Sequence, residues 1–129
     1  MTPRRILLVN AIATSASAIA MLAARSLLAP LFGLSTPLLL DIVAIGFLIY
    51  AGVVALAARR EPVSPQALVA FAIADGLWVG MSALILLFAW TELTPIARAL
   101  VTIVALVTEA FAVLQYRAAG TGRRAPKMA

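Results

Sequence analysis

Two carboxyl groups stand in stretches of sequence that offer them little to bond with. Asp75 lies in the middle of Phe71-Ala-Ile-Ala-Asp-Gly-Leu-Trp-Val-Gly-Met-Ser82, and Glu109 lies in the apolar run that leads to Tyr116. In a lipid interior an ionised carboxylate at mid-helix costs about 2.5–3.5 kcal/mol even on the most lenient scale. Each acid then needs a partner or a proton, and an acid that exchanges its proton is a candidate carrier group. Helical spacing supplies the partners. Asn10, Thr14 and Ser17 form one polar stripe, Asp75, Val79 and Ser82 with Trp78 alongside form a second, and Thr102, Ala105, Glu109, Ala112 and Tyr116 form a third. The candidate intramembrane polar or proton site is therefore Asp75, Glu109, Asn10, Ser17 and Trp78. Its simplest arrangement has a protonated Asp75 donating to Asn10, to a serine hydroxyl or to a backbone carbonyl. A static hydrogen bond that holds helices together competes with the proton-exchange reading on equal chemical terms.

Other chemistry is excluded by composition. With no cysteine and no histidine, the chain lacks disulfides, thiolate nucleophiles, sulfur ligands and the commonest proton shuttle at neutral pH. No catalytic residue, metal site or cofactor is expected, and an enzyme is the least favoured reading.

The elements that position the acids follow from hydrophobicity. Of 129 residues 64% are hydrophobic and mean hydropathy is +1.10, whereas a soluble domain is about 45–50% apolar. Apolar segments run from about Ile6 to Leu28, Leu38 to Ala58, Gln66 to Trp90 and Pro95 to Tyr116. Each approaches the roughly 20 residues needed to cross a bilayer as helix. The fold class is all-α: a four-transmembrane-helix bundle over residues 1–119, up-down-up-down, followed by a basic tail at 120–129. Turn residues separate the spans, and Thr36-Pro37 and Thr94-Pro95 read as N-cap followed by proline at the first helical position.

Arg4, Arg5, Arg59, Arg60, Arg117, Arg123, Arg124 and Lys127 fall on one side of this topology and only Arg25 and Arg98 on the other. Positive loops stay cytoplasmic, so both termini are expected inside, in the inner membrane of a bacterium whose arginine and alanine usage suits a GC-rich genome. Trp90 and Tyr116 fit interfacial anchors. The net charge of +5 reflects these flanks, and no patch of basic and aromatic residues suggests nucleic acid. Arg4-Arg5 followed by an apolar stretch and Ala16-Ser17-Ala18 also fits a secretory signal, but removing that segment would spoil the even count of crossings.

Depth brings the two acids level. At the helical rise Asp75 lies roughly 13 Å from the inner start of the third span, and Glu109 roughly 10 Å from the inner end of the fourth. Both are expected to face the bundle. Gly76-Leu-Trp-Val-Gly80 with Ala72 one turn earlier forms a small-residue surface that would let another helix approach closely, as a seam within the bundle or between copies. A shift of 58 positions superposes Thr36-Pro37 on Thr94-Pro95, Arg59 on Arg117 and Ser17 on Asp75, which suggests a tandem helical-hairpin repeat. Asp41, one turn into the second span, suits the positive end of its helix.

Through Leu28-Ala-Pro-Leu-Phe-Gly-Leu34, Ala74-Asp-Gly-Leu-Trp-Val79, Leu93-Thr-Pro95 and Phe111-Ala-Val-Leu-Gln115, the chain resembles small bacterial four-helix membrane proteins of uncharacterised function. In size and helix count it is similar to DoxX-like proteins, which implies a bundle but no assignable site. Small multidrug-resistance transporters have the same helix count, but their pattern requires a glutamate in the first span, where this chain has Asn10, Thr14, Ser15 and Ser17. The reading favoured by sequence is a non-catalytic subunit or assembly factor of a larger membrane complex, its partners the lipid bilayer and a membrane protein or further copies of itself. The alternative is a proton-coupled carrier of a small molecule or ion, acting through Asp75 and Glu109.

Overall fold

Three helices begin with the same device. Thr2, Ser64 and Thr94 each place a hydroxyl within hydrogen-bond distance of a backbone N–H three residues on, Arg5 at 3.2 Å, Ala67 at 3.3 Å and Ala97 at 3.3 Å. Each is followed by a proline, whose missing N–H costs nothing in a first turn. These caps open α1 (Pro3–Ala23), α4 (Pro65–Phe88) and α5 (Pro95–Arg124), and the set is completed by the short α2 (Arg25–Leu31) and by α3 (Leu38–Ala58). The computed structural model describes residues 1–124, so the end of the expected basic tail, 125–129, lies outside the described residues. Among the described residues there is no strand, and α1, α3, α4 and α5 are long and apolar enough to cross a membrane.

Three local expectations are revised. The first apolar segment is not one helix to Leu28: it breaks at Ala24, and α2 follows as a separate helix. Arg25 there donates to Asp41 through Nε at 2.8 Å and also through its second guanidinium nitrogen, which fixes the break against the start of α3. This hydrogen bond, with the attraction of the Asp41 charge, holds the Arg25 guanidinium above its ordinary proton affinity. Thr36 does not cap α3, because the cap position falls on Pro37 and no side chain bonds there. Finally, α5 runs on through Gly120 to Arg124 as helix.

The four long helices pack unequally. α1 and α3 approach closely along their length, as do α4 and α5, whereas α1 meets α5 over a shorter stretch. Alanine makes the first approach possible. Ala44, Ala51 and Ala58 recur two turns apart on α3 and are buried, as are Ala11 and Ala18 on α1. The small-residue seam expected at Gly76 and Gly80 is not formed: both glycines are exposed, and a Cβ added to either would have no neighbour within 4 Å. Only Ala72 of that trio is buried. α3 and α4 are spanned instead by aromatic side chains, Phe47 edge-on to Trp78 at 4.8 Å between centroids and Tyr50 edge-on to Phe71 at 5.8 Å.

The two ends of the bundle also differ. Leu7, Ala11, Ala51, Val54, Ala58, Leu68, Phe71 and Ala119 make a continuous apolar core at the end where Arg4 pairs with Glu61 at 2.8 Å. The opposite end is closed by α2 and the turn after it. Thr94 donates to the Leu31 carbonyl through both its N–H and its hydroxyl at 3.0 Å. Gly33, at φ +70, packs so near Glu92 that an added Cβ would lie 2.8 Å from that carbonyl oxygen.

Candidate functional site

Each of the four long helices contributes one polar side chain to a single cluster between the packed core and the far end. Asp75 of α4 is at its centre. Its Oδ2 accepts from Asn10 Nδ2 of α1 at 3.1 Å and from Gln115 Nε2 of α5 at 2.9 Å, and its Oδ1 accepts from the Tyr50 hydroxyl of α3 at 2.8 Å. Asn10 also donates to Gln115 Oε1 at 2.7 Å and accepts from Thr14 at 3.0 Å. Asn10, Asp75 and Gln115 are exposed by 2%, 6% and 0% respectively, so they are buried, and their polar groups satisfy one another, as buried groups must. Because its members come from both hairpins, it joins α1–α3 to α4–α5 where direct helix contact is sparse.

Among the described residues no cation pairs with Asp75. The ion pairs among the described residues are Arg4–Glu61 and Arg25–Asp41, one at each end of the bundle. What Asp75 has instead is a set of neutral donors and a hydroxyl with a choice of acceptor. Tyr50 Oη lies 2.8 Å from Asp75 Oδ1 and 3.4 Å from the Phe71 carbonyl. With Asp75 ionised, the Tyr50 proton points at Oδ1. With Asp75 protonated, the acid donates to Tyr50 and the hydroxyl proton turns to Phe71. Both protonation states keep a full set of hydrogen bonds after one hydroxyl rotation.

Beyond the cluster the two hairpins leave a half-open space between them. A cavity of about 480 Å³ is bordered by Asp75, Asn10, Thr14, Ser17, the aromatic rings of Phe47, Tyr50, Trp78 and Phe111, and apolar residues of α3 and α5. A second cavity, of about 590 Å³ and almost wholly apolar, shares Ser17, Val43, Phe47, Trp78 and Val104 with the first and continues to α2 and Leu93. At their junction the Trp78 indole N–H is buried without a hydrogen-bond partner. Ser17 lines both cavities, but its hydroxyl donates to the Ala13 carbonyl of its own helix at 2.9 Å and does not meet Asp75.

Of the residues singled out from sequence, Asp75 and Asn10 are thus bonded to one another, with Asn10 as donor, while Ser17 and Trp78 border the same space. Glu109 is elsewhere. Its side chain is exposed on the outer surface of α5, and the structure does not bring it to Asp75. Tyr50 and Gln115 were not singled out, although each is a polar group within an apolar run. Ending the fourth span at Tyr116 put Gln115 at the membrane surface, whereas continuation of α5 to Arg124 leaves it roughly 13 Å short of the helix end.

No protein-family model matches this chain, and comparison with curated proteins and with solved structures returns no match. Among the described residues no group of acidic, cysteine or histidine side chains is arranged to hold a metal ion.

Proposed function

We propose that this chain is a multi-pass inner-membrane protein, up-down-up-down with both termini cytoplasmic, that binds and carries a small molecule between its two hairpins with proton exchange at Asp75. Supporting the topology, Arg4 at the start of α1 meets Glu61 just past the end of α3, and α2 meets the start of α5 at the opposite end. One observation carries the functional reading: the buried acid borders a cavity large enough for a ligand and is held by a residue from each of the other three long helices. A hydrogen bond needed only to fasten helices requires no such space beside it. Ligand pockets commonly enclose about 300–1,000 Å³, with few polar groups in apolar walls. The protein is read as non-catalytic, and Glu109 has no part in the carrier site.

The natural absence of cysteine makes the test direct. A single Ser17→Cys variant in sealed vesicles is challenged with a small membrane-impermeant thiol reagent from either side. A carrier cavity exposes the thiol to reagent from both faces in turn. Protection from both faces identifies a closed, static bundle and removes the carrier reading.

A second reading, a subunit of a larger membrane complex, is favoured by Glu109. An acid exposed on the surface of a membrane helix is poorly served by lipid, and a partner helix would cover it. Co-purification in mild detergent followed by mass spectrometry tests this: a stoichiometric membrane partner lost on Glu109→Leu supports it, and a solitary chain with normal carrier behaviour opposes it.

A further inference from the structure

We infer that the ligand of the cavity is an amphiphilic organic cation: an amine whose apolar body carries a hydrogen-bond acceptor close to the nitrogen. This deepens the binding reading above and rests on it.

The chemistry of the walls selects the charge. A carboxylate offers about four acceptor positions, and Tyr50, Asn10 and Gln115 fill three of those on Asp75. The neighbouring hydroxyls have also committed their protons, Thr14 to Asn10 and Ser17 to the Ala13 carbonyl. What remains for a ligand at this end of the cavity is lone pairs, on Asp75, Thr14 and Ser17. A ligand rich in donors and poor in acceptors is therefore required there, and an ammonium group has only donors. The rings of Phe47, Tyr50, Trp78 and Phe111 border the same volume. Aromatic faces attract a cation, the more so once it is desolvated, and among the described residues no ion pair is made by Asp75 that would compete.

The rest of the ligand follows from what adjoins. Trp78 stands one turn from Asp75 on α4, so their side chains are neighbours on one helix face. Its N–H is buried and unpartnered, which is costly, and a small turn of the indole would present it to an acceptor in the cavity. An ether, hydroxyl or carbonyl oxygen a few bonds from the nitrogen supplies one. Past Trp78 the second cavity, about 590 Å³ with apolar walls, takes an alkyl or ring system. The amine end thus sits against the cluster and the apolar end toward α2.

The probes are octyloxypropylamine, its neutral counterpart octyloxypropanol, and dodecylamine, which replaces the ether oxygen by a methylene. Binding is read from the fluorescence of Trp78 in a Trp90→Phe background, with the full chain in zwitterionic-lipid nanodiscs and lipid partitioning measured on empty discs. Octyloxypropylamine is expected to saturate the signal at least tenfold more tightly than the alcohol. The ether should hold it a few-fold tighter than dodecylamine after correction for partitioning. Asp75→Asn is expected to abolish the preference for amine over alcohol, and a helical signal and melting transition like those of the unsubstituted chain report that the variant is folded. Equal affinity for amine and alcohol in the unsubstituted site overturns the cation and leaves the cavity a ligand site. Absence of any saturable response to the amine overturns the inference outright. The accessibility of Ser17→Cys is decided separately from both.

Discussion

At the scale of single residues, Asp75 is an acid that neutral groups have surrounded. Removing its charge and removing its oxygens are therefore different perturbations. Asp75→Asn keeps the shape and one acceptor, whereas Asp75→Leu takes an acceptor from the amides of Asn10 and Gln115, at about 1–3 kcal/mol for each buried group left unpaired, and leaves the Tyr50 hydroxyl only the longer contact to the Phe71 carbonyl. Reversible unfolding in mixed micelles should show Asp75→Leu as much the more damaging of the two, and equal losses would mean the network contributes no stability. The proton is tested apart from stability. The reactivity of Ser17→Cys is expected to vary with pH beyond the titration of the thiol itself, and to lose that extra dependence when Asp75→Asn is added. Matching profiles would remove Asp75 as the exchanging group. Polarity in an apolar setting made Asp75, Asn10 and Trp78 legible from sequence. It did not distinguish Glu109, because counting along a helix gives depth but not which way a side chain faces. One position on α5 points to lipid and another, Gln115, points to the cluster, and apolar neighbours of both kinds blur the difference.

At the scale of elements, the starts of helices were more readable than their ends. Thr94-Pro95 combines a capping hydroxyl with a proline that suits the first turn and opens α5 as expected, and Ser64-Pro65, just ahead of the expected start at Gln66, does the same for α4. Thr36-Pro37 has the same letters and fails, since α3 begins one residue later with no side-chain cap. The shift of 58 that matches Pro37 with Pro95 carries Pro3 onto Glu61, a turn before α4 begins at Pro65, so one offset does not superpose both hairpins. The break after Ala23 was hidden because apolar sequence continues across it. Past the break Arg25 is tied to a distant partner, Asp41, and the closure beyond it depends on Gly33. There a side chain meets two obstacles, the positive φ and the Glu92 carbonyl. Gly33→Ala is expected to destabilise the fold by more than the ~1–2 kcal/mol of the backbone strain alone, with melting of the helical signal as the measurement. An unchanged transition would show that this closure contributes little.

At the scale of the whole molecule, four apolar helices were plain from composition and length, but their unequal association was not, because hydrophobicity is nearly uniform around α1, α3 and α4 and does not say which neighbour lies close. Ala44, Ala51 and Ala58 carry that information only through their size. The proposed orientation yields its own test. In intact cells an impermeant maleimide added outside should label Ser35→Cys and leave Arg60→Cys untouched until lysis, and the reverse pattern would invert the topology. A last consequence comes from the contrast between the filled end around Val54 and Leu68 and the empty end around Val43 and Val104. Because Thr94 and Leu31 tie the hairpins together again beyond that empty region, the two halves resemble a bow strung at both ends, with the Asp75 network at one tie. Whatever wedges between them bends the helices apart between the ties, so the strain of occupancy would fall on the bonds from Asn10, Tyr50 and Gln115 to a single carboxyl group and on those from Thr94 to Leu31.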